Sequence, residues 1–109
     1  MTDKLPLVSF LMPVYNSEKT VKRAIESMTS QTYKNIEIII IDDNSLDDSY
    51  SICHNFMIND ERIRLYQNEK NLGVAKSLNK GLGLCKGKYI ARMDADDVST
   101  PDRIEKQVQ

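Results

Sequence analysis

Residue types that mark disulfide frameworks and thiolate or imidazole metal centres are scarce in this sequence. It contains one histidine, two cysteines and no tryptophan in 109 residues. Cys53 and Cys85 show no CxxC spacing and have no clustered histidine, so neither a zinc site nor a redox pair is expected. We expect both thiols to be buried, as free cysteines commonly are.

An excess of basic residues and a long apolar run are also absent. Fifteen Lys and Arg are balanced by 16 Asp and Glu, for a net charge of −1. Such a chain has no excess of basic residues that could neutralise the phosphate backbone of a nucleic acid, so nucleic acid is not an expected partner. Without about 18 consecutive apolar residues or a basic-then-apolar leader, we expect a cytoplasmic protein.

What the chain does have is an alternation of strand-like and helix-like segments. With 40% apolar and 28% charged residues, its composition is that of a globular domain, and we expect residues 1–109 to form one domain. The alternation predicts an α/β fold, a mostly parallel, Rossmann-like sheet of about four strands with helices on both faces. The predicted strands are 7–12, 36–41, 62–66 and 89–93, and the last helix is still running at Gln109.

Local signals suggest where the elements begin and end. Pro13 is expected to stop the first strand, and Ser45-Leu46-Asp47-Asp48 has the form of a capping box that starts a helix. Gly87 is placed to end the third helix in the left-handed conformation. Thr100-Pro101 has the order that starts the last helix.

Polar clusters follow three of the four predicted strands. They are Pro13-Val14-Tyr15-Asn16, Asp42-Asp43-Asn44-Ser45 and Asp94-Ala95-Asp96-Asp97. Ligands of open parallel sheets bind outside the carboxyl ends of the strands, where the strand order reverses. Up to five carboxylates would crowd that mouth, and a hard divalent cation held by oxygen ligands would relieve their repulsion.

Within the last cluster, Asp94 and Asp96 are at positions i and i+2. In extended backbone their side chains leave the same face and converge on one site. Arg92 and Lys88 lie on the preceding strand and could add positive charge, but the sequence does not say which face of the strand they take.

These motifs, in this order, resemble family 2 glycosyltransferases of the GT-A type. The resemblance also includes Ser30-Gln31-Thr32-Tyr33, Asn71-Leu72-Gly73, Asn79-Lys80-Gly81, Gly87-Lys88-Tyr89-Ile90 and Pro101-Asp102-Arg103. It implies the N-terminal part of an enzyme that uses a nucleotide-diphospho-sugar, with a UDP-sugar favoured. Mg²⁺ or Mn²⁺ would assist inverting transfer to an acceptor saccharide or lipid-linked saccharide, in bacterial polysaccharide synthesis at the cytoplasmic face of the membrane.

The resemblance also implies roles for individual residues. Asp43 would accept a hydrogen bond from the N3-H of a pyrimidine base, and Asp96, with Asp94, would bind the metal. The donor-nucleotide contacts would come from Pro13, Tyr15, Asn16, Asp43 and Asp94. No catalytic base is expected before Gln109, because the family's base lies past the metal motif, so this chain alone is expected to bind donor without transferring sugar.

Plainer structural roles stay open for several of these residues. Asp43 and Ser45 could form only a turn and a helix cap, Asn16 could be an ordinary loop residue, and Asp97 could cap a turn. Two alternatives for the whole chain also stay open. One is a receiver-like, Mg²⁺-binding signalling module, and the other is a folding unit that retains no binding and forms a homodimer through an uncovered sheet or helix surface.

Overall fold

The computed structural model describes residues 5–108, and a parallel β-sheet forms its central layer. Strands and helices alternate through the whole of that range, as the sequence pattern predicts. The elements are β1 (Val8–Val14), α1 (Val21–Thr29), β2 (Ile36–Asp42), α2 (Ser49–Asn59), β3 (Ile63–Gln67), α3 (Val74–Leu82), β4 (Tyr89–Arg92) and α4 (Arg103–Gln107). The predicted α/β class is confirmed.

The four strands lie in the order β3-β2-β1-β4, with every neighbouring pair parallel. The chain moves outward from β1 to β3 and then crosses to the other side of β1 for β4. The strand order therefore reverses between β1 and β4, which is where ligands of such sheets bind. Receiver-type sheets have the order 2-1-3-4-5, so this arrangement contradicts the receiver alternative.

Apolar side chains cover the sheet on both faces. One face packs β1 and β2 against α1, α2 and α4, with Phe10, Ile25 and Ile104 fully buried. The other face packs Leu11, Ile39 and Ile41 against Leu78 of α3. β2 is buried along its whole length, which explains its run of isoleucines. Helices on both faces are confirmed.

Pro13 does not stop the first strand, contrary to the prediction. It lies within β1 and pairs in register with Ile41. The carbonyl oxygen of Val14 points to the β2 side, where it accepts a hydrogen bond from the amide of Asp43. The carbonyl oxygen of Leu11 points to the β4 side, where it accepts one from the amide of Met93. Because these directions alternate, the nitrogen of Pro13 faces the β4 side, beyond Arg92, where that pairing has ended. A proline is tolerated there because, among the described residues, β4 no longer pairs with β1 at this position and would not accept a hydrogen bond from an N–H of residue 13.

Two predicted helix starts are also wrong in detail. α2 begins at Ser49, with Asp48 as its N-cap residue and no side-chain capping bond, rather than at the expected capping box. α4 begins at Arg103 instead of directly after Thr100-Pro101. Its described part ends at Gln107, and Gln109 lies outside the described residues. Within residues 5–108, no helix combines the length and apolar character needed to cross a bilayer.

Gly87 does not end α3 in a left-handed conformation. That helix ends at Leu82, and among residues 5–108 the only glycine with positive φ is Gly73. Gly87 is required instead by close packing against β1. A Cβ atom added there would lie 2.6 Å from both the backbone nitrogen and Oγ of Ser9 and 2.9 Å from the carbonyl oxygen of Leu7.

Replacing Gly87 by alanine is therefore expected to lower the free energy of unfolding by about 1–3 kcal/mol, because the backbone of β1 must shift. Urea denaturation measures the change. Gly83→Ala is the matched control, since Gly83 has φ −68° and its nearest atom to an added Cβ is 3.6 Å away. That control should be neutral or stabilise by about 0.5 kcal/mol. Equal stability of the two variants would contradict the close-packing explanation.

Candidate functional site

A cleft of about 880 Å³ opens at the carboxyl ends of β1 and β4, at the point where the strand order reverses. One wall comes from the loop after β1 and the start of α1, and the other from the end of β4 and the loop that follows. Five of the six residues assigned to donor or metal binding line it together: Pro13, Tyr15, Asn16, Asp94 and Asp96. The predicted edge of the sheet is therefore a single concave surface.

An acidic cluster lies on the β4 wall of this cleft. Carboxylate oxygens of Asp94, Asp96 and Asp97 all lie within 4.8 Å of one another, and all three residues are exposed. The backbone there is a turn, in which the amide of Asp97 donates to the carbonyl of Asp94 at 3.0 Å. The prediction of extended backbone at Asp94–Asp96 is thus wrong. The turn also places the carboxylate of Asp97 beside those of Asp94 and Asp96.

This cluster fits a hard divalent cation. Mg²⁺ and Mn²⁺ prefer oxygen ligands and usually retain open positions for water or phosphate oxygens. Three exposed carboxylates can supply the protein ligands while leaving the cleft side free. Arg92 is the closest cationic partner, with its Nη2 3.3 Å from Oδ1 of Asp94.

The two basic residues expected near the cluster lie at opposite ends of β4. Arg92 lines the cleft, which settles the face that the sequence left open. Lys88 lies at the other end, where its amide donates to the carbonyl of Leu7 and its ammonium lies 5.6 Å from the ring centre of Tyr89. Lys19, from the turn before α1, lines the cleft instead.

Asp43 lies at the back of the β1 side, where it is only 4% exposed. Its carboxylate accepts hydrogen bonds from the amides of Leu72 (2.7 Å) and Gly73 (2.9 Å) and from Nδ2 of Asn68 (2.8 Å). Burial raises the pKa of Asp43, but these donors outweigh it and hold the pKa below its usual value. Asp43 is thus an ionised anchor for the segment 68–73.

The partners of Asp43 were not singled out individually from the sequence. Asn68, 2% exposed, also donates to Oγ of Ser77 and accepts from Nζ of Lys80. Gly73 takes φ 91° as the N-cap residue of α3. All of these residues lie at least 25 positions from Asp43, so no local pattern could pair them with it. The motifs Asn71-Leu72-Gly73 and Asn79-Lys80-Gly81 are the sequence signals in this region.

A narrow pocket of about 40 Å³ joins Asp43 to the cleft. Its lining includes Pro13, Tyr15, Asp43 and Val74. Tyr15 is 44% and Val74 54% exposed, so an aromatic and an aliphatic surface flank the entrance.

Asn16 joins the loop after β1 to the loop after β2. Its amide donates to Oγ of Ser45, its Oδ1 accepts from the amide of Leu46, and its φ is 46°. Ser45 in turn donates to the fully buried Asp42. The bonds with Asn16 and Asp42 together occupy the Ser45 hydroxyl, which explains why it does not cap α2.

The carboxylates at the sheet edge consequently serve different purposes. Asp42 and Asp43 are buried and hydrogen bonded within the protein. Only the three from the loop after β4 form a cluster in the described chain. The expectation that up to five carboxylates share one mouth is therefore wrong, because two of them hold neighbouring loops.

Neither cysteine takes part in the cleft. Cys53 is fully buried on α2, and burial raises the pKa of its thiol to about 12. Cys85 is half-buried, and burial also raises the pKa of its thiol. A buried site is confirmed for Cys53, whereas Cys85 is only partly covered.

Comparison with known proteins gives a consistent result. A family model described as glycosyl transferase family 2 matches residues 9–109. An uncharacterized glycosyltransferase of Haemophilus influenzae is 46% identical over 106 residues, which are 97% of this chain and 33% of that protein. The Escherichia coli protein named UDP-Glc:alpha-D-GlcNAc-diphosphoundecaprenol beta-1,3-glucosyltransferase WfaP is 42% identical over 104 residues, or 95% of this chain and 41% of that protein.

A solved structure shares the fold. The crystal structure of S. aureus TarS 1-349 in complex with UDP-GlcNAc has a TM-score of 0.85 and 26% sequence identity. The similarity covers 92% of this chain and 29% of that one. The chain thus spans about a third of the length of the proteins that it matches.

Proposed function

The chain belongs to glycosyl transferase family 2, and on that premise we propose that it binds a nucleotide-diphospho-sugar in the cleft between β1 and β4. A UDP-sugar is favoured, since the similar TarS structure is a complex with UDP-GlcNAc. The observation that carries the proposal is the position of the acidic cluster. It lies on one wall of the same cleft whose other wall presents Pro13 and Tyr15.

The acidic cluster is the proposed metal end of the site. Asp96 and Asp94 hold Mg²⁺ or Mn²⁺, with Asp97 as a third oxygen donor. A bound cation supplies Lewis-acid stabilisation of the negative charge that develops on the leaving nucleoside diphosphate. Arg92, which lines the cleft beside Asp94, adds a guanidinium suited to phosphate oxygens.

The loop after β1 is the proposed nucleotide end. The exposed ring of Tyr15 and the side chain of Val74 offer apolar surface to a base, and Pro13 closes the pocket between them. Asp43 is held ionised at the end of this pocket, so it can only accept a hydrogen bond. We propose that it accepts the N3-H of a pyrimidine. Asn16 borders the nucleotide and fixes the loop that carries Tyr15.

Sugar transfer is a proposal for the whole protein rather than for these residues. We propose inverting transfer to an acceptor saccharide or lipid-linked saccharide, by similarity to the enzyme named for its GlcNAc-diphosphoundecaprenol substrate. The general base is placed outside residues 1–109, as the family resemblance implies, so these residues by themselves are expected to bind donor without transferring it. Polysaccharide synthesis at the cytoplasmic membrane face and self-association as a homodimer also stay predictions.

Calorimetric titration with UDP in the presence and absence of Mn²⁺ tests the donor-binding proposal. We expect Mn²⁺ to increase UDP affinity by at least about 10-fold, which corresponds to about 1.4 kcal/mol. ADP in the same buffer is the control, because its base has no N3-H for Asp43 and should bind more weakly. Equal UDP affinity with and without Mn²⁺, or no UDP binding at millimolar concentration, would contradict the proposal.

A further inference from the structure

The loop that carries the acidic cluster is tied together at its two ends by one side chain, Arg103 of α4. Its Nη2 donates to the carbonyl oxygen of Arg92, just before the loop, at 3.1 Å. Its Nη1 donates to Oγ of Ser99, just after the cluster, at 3.1 Å. Since the two contacts use different nitrogens of one planar group, the guanidinium fixes the separation of the loop ends.

Arg103 is itself held in place by the core. Its guanidinium carbon lies 5.7 Å from the ring centre of Phe10, a fully buried residue of β1. Gln31, also fully buried, donates to the carbonyl of Thr100 and accepts from the amide of Ile104, on either side of Arg103. The start of α4 is therefore fixed to the end of α1, and Arg103 extends from a rigid base.

Ser99 receives a second constraint from the same region. Its amide donates to Oγ of Ser27 at 3.0 Å, and its hydroxyl lies 3.1 Å from Sδ of Met93. Both ends of the loop are thus fixed, whereas the carboxylates between them are exposed. Inside the loop, the turn bond from the amide of Asp97 to the carbonyl of Asp94 and the ion pair of Arg92 with Asp94 act on the cluster. Closure of the two ends limits how far the three like charges can move apart.

We propose that Arg103 is a positioning residue for the acidic cluster: it closes the loop 93–99 so that Asp94, Asp96 and Asp97 converge on one cation. This inference rests on the proposed metal-assisted donor binding. It assigns a role to the Pro101-Asp102-Arg103 motif, which the proposed function leaves unexplained.

Electrostatics and positioning predict opposite effects for the loss of Arg103. A guanidinium near a cation site repels the cation, so removing its charge alone should strengthen Mn²⁺ binding. Removing its two-ended contact should weaken binding, because the carboxylates then separate. Arg103→Lys keeps the charge but not the planar fork, and Arg103→Gln removes the charge as well.

The test is Mn²⁺ binding to the two variants, measured from the electron paramagnetic resonance signal of free Mn²⁺. Both variants are expected to bind about 10-fold more weakly than the wild type, within the range for residues that support metal ligands. Arg62→Lys is the matched control. The guanidinium of Arg62 also donates to a carbonyl, that of Thr29, and to a second group, the carboxylate of Asp60, and Arg62 lies far from the cluster in the sequence. This control should leave Mn²⁺ affinity unchanged. Wild-type affinity in both Arg103 variants, tighter binding by Arg103→Gln, or an equal loss in Arg62→Lys would overturn the inference.

Amide hydrogen exchange separates this inference from the proposed function. The amide of Asp97, bonded to the carbonyl of Asp94, should exchange at least about 10-fold faster in both Arg103 variants, while β1 and β2 amides stay protected. Unchanged exchange at Asp97 would overturn the positioning role. A wild-type chain that binds no Mn²⁺ would contradict the proposed function, and the exchange result would still decide whether Arg103 closes the loop.

Discussion

Replacing Asp96 by asparagine is expected to weaken Mn²⁺ binding by on the order of 100-fold and to abolish the dependence of UDP binding on Mn²⁺. Mutation of residues that only support metal ligands lowers metal affinity by about 10–100-fold. Mutation of a direct ligand should therefore lower the affinity by at least the upper end of that range. Asparagine has almost the same shape as aspartate, and the cluster is exposed, so the fold should be preserved. The measurements are Mn²⁺ affinity and UDP affinity with and without the ion.

Asp102→Asn is the control for this experiment. Asp102 is another carboxylate of the same surface, but it pairs with Lys106 and lies outside the cluster. It should leave both affinities within a factor of about two, as an isolated surface charge has little effect. Retention of Mn²⁺-dependent UDP binding by Asp96→Asn would remove Asp96 from the metal site.

Replacing Asp43 by asparagine is expected to lower the free energy of unfolding by about 3 kcal/mol at pH 7. The carboxylate accepts the amides of Leu72 and Gly73 and the side-chain amide of Asn68. Asparagine presents an NH₂ group in place of one of these oxygens, so at least one buried N–H is left unpaired, at a cost of about 1–3 kcal/mol. The weaker bonds to a neutral oxygen add to that loss.

The difference between wild type and Asp43→Asn should depend on pH in one direction. The pKa of Asp43 is lower in the folded protein than in the unfolded chain. Its stabilisation is therefore fully present above the unfolded pKa, about 3.9, and is lost as the pH falls through the folded value. Urea denaturation should show a constant difference between pH 5 and 8 and a shrinking one below about pH 4.

Asp48→Asn is the control for the stability measurement. Asp48 is exposed and makes no capping bond with its side chain at the start of α2, so its replacement should change stability by less than about 0.5 kcal/mol. If Asp43→Asn were as stable as this control at pH 7, the anchoring role of Asp43 would be wrong. If Asp43→Asn folded and kept its preference for UDP over ADP, the proposed contact with the base would be wrong.

The strands and the site's position were predictable because they depend on local patterns. The isoleucines at 38–41 indicate a strand buried on both faces, and the structure has β2 at Ile36–Asp42. The alternation of elements predicts a parallel sheet, and its carboxyl edge is where Tyr15 and Asp96 meet in one cleft. Period and order along the chain are sufficient for these conclusions.

The errors have a different physical origin, in hydrogen bonds that the residue pattern does not specify, several of them between residues far apart in sequence. Ser45 has the local pattern of a helix cap, but Asn16 and Asp42 bind its hydroxyl. The anchoring of the segment 68–73 by Asp43 was missed, because its partners lie 25–30 positions away. The convergence of Asp94 and Asp96 was predicted from extended backbone, whereas a turn produces it and adds Asp97. A single sequence contains no signal that pairs such groups.

The proline within β1 has a consequence for the mouth of the site. In the register that pairs Leu11 with Arg92, the next rung of the β1–β4 ladder would run from a hydrogen on the nitrogen of residue 13 to the carbonyl oxygen of Met93. Pro13 carries no such hydrogen, so the pairing with β4 ends at Leu11, three residues before β1 ends at Val14. The chain after Met93 is therefore unpaired with β1 and forms the turn closed by the amide of Asp97 and the carbonyl of Asp94. The cleft in which we propose that the donor binds opens where these two backbones diverge, with Pro13 on one side and Asp94 on the other.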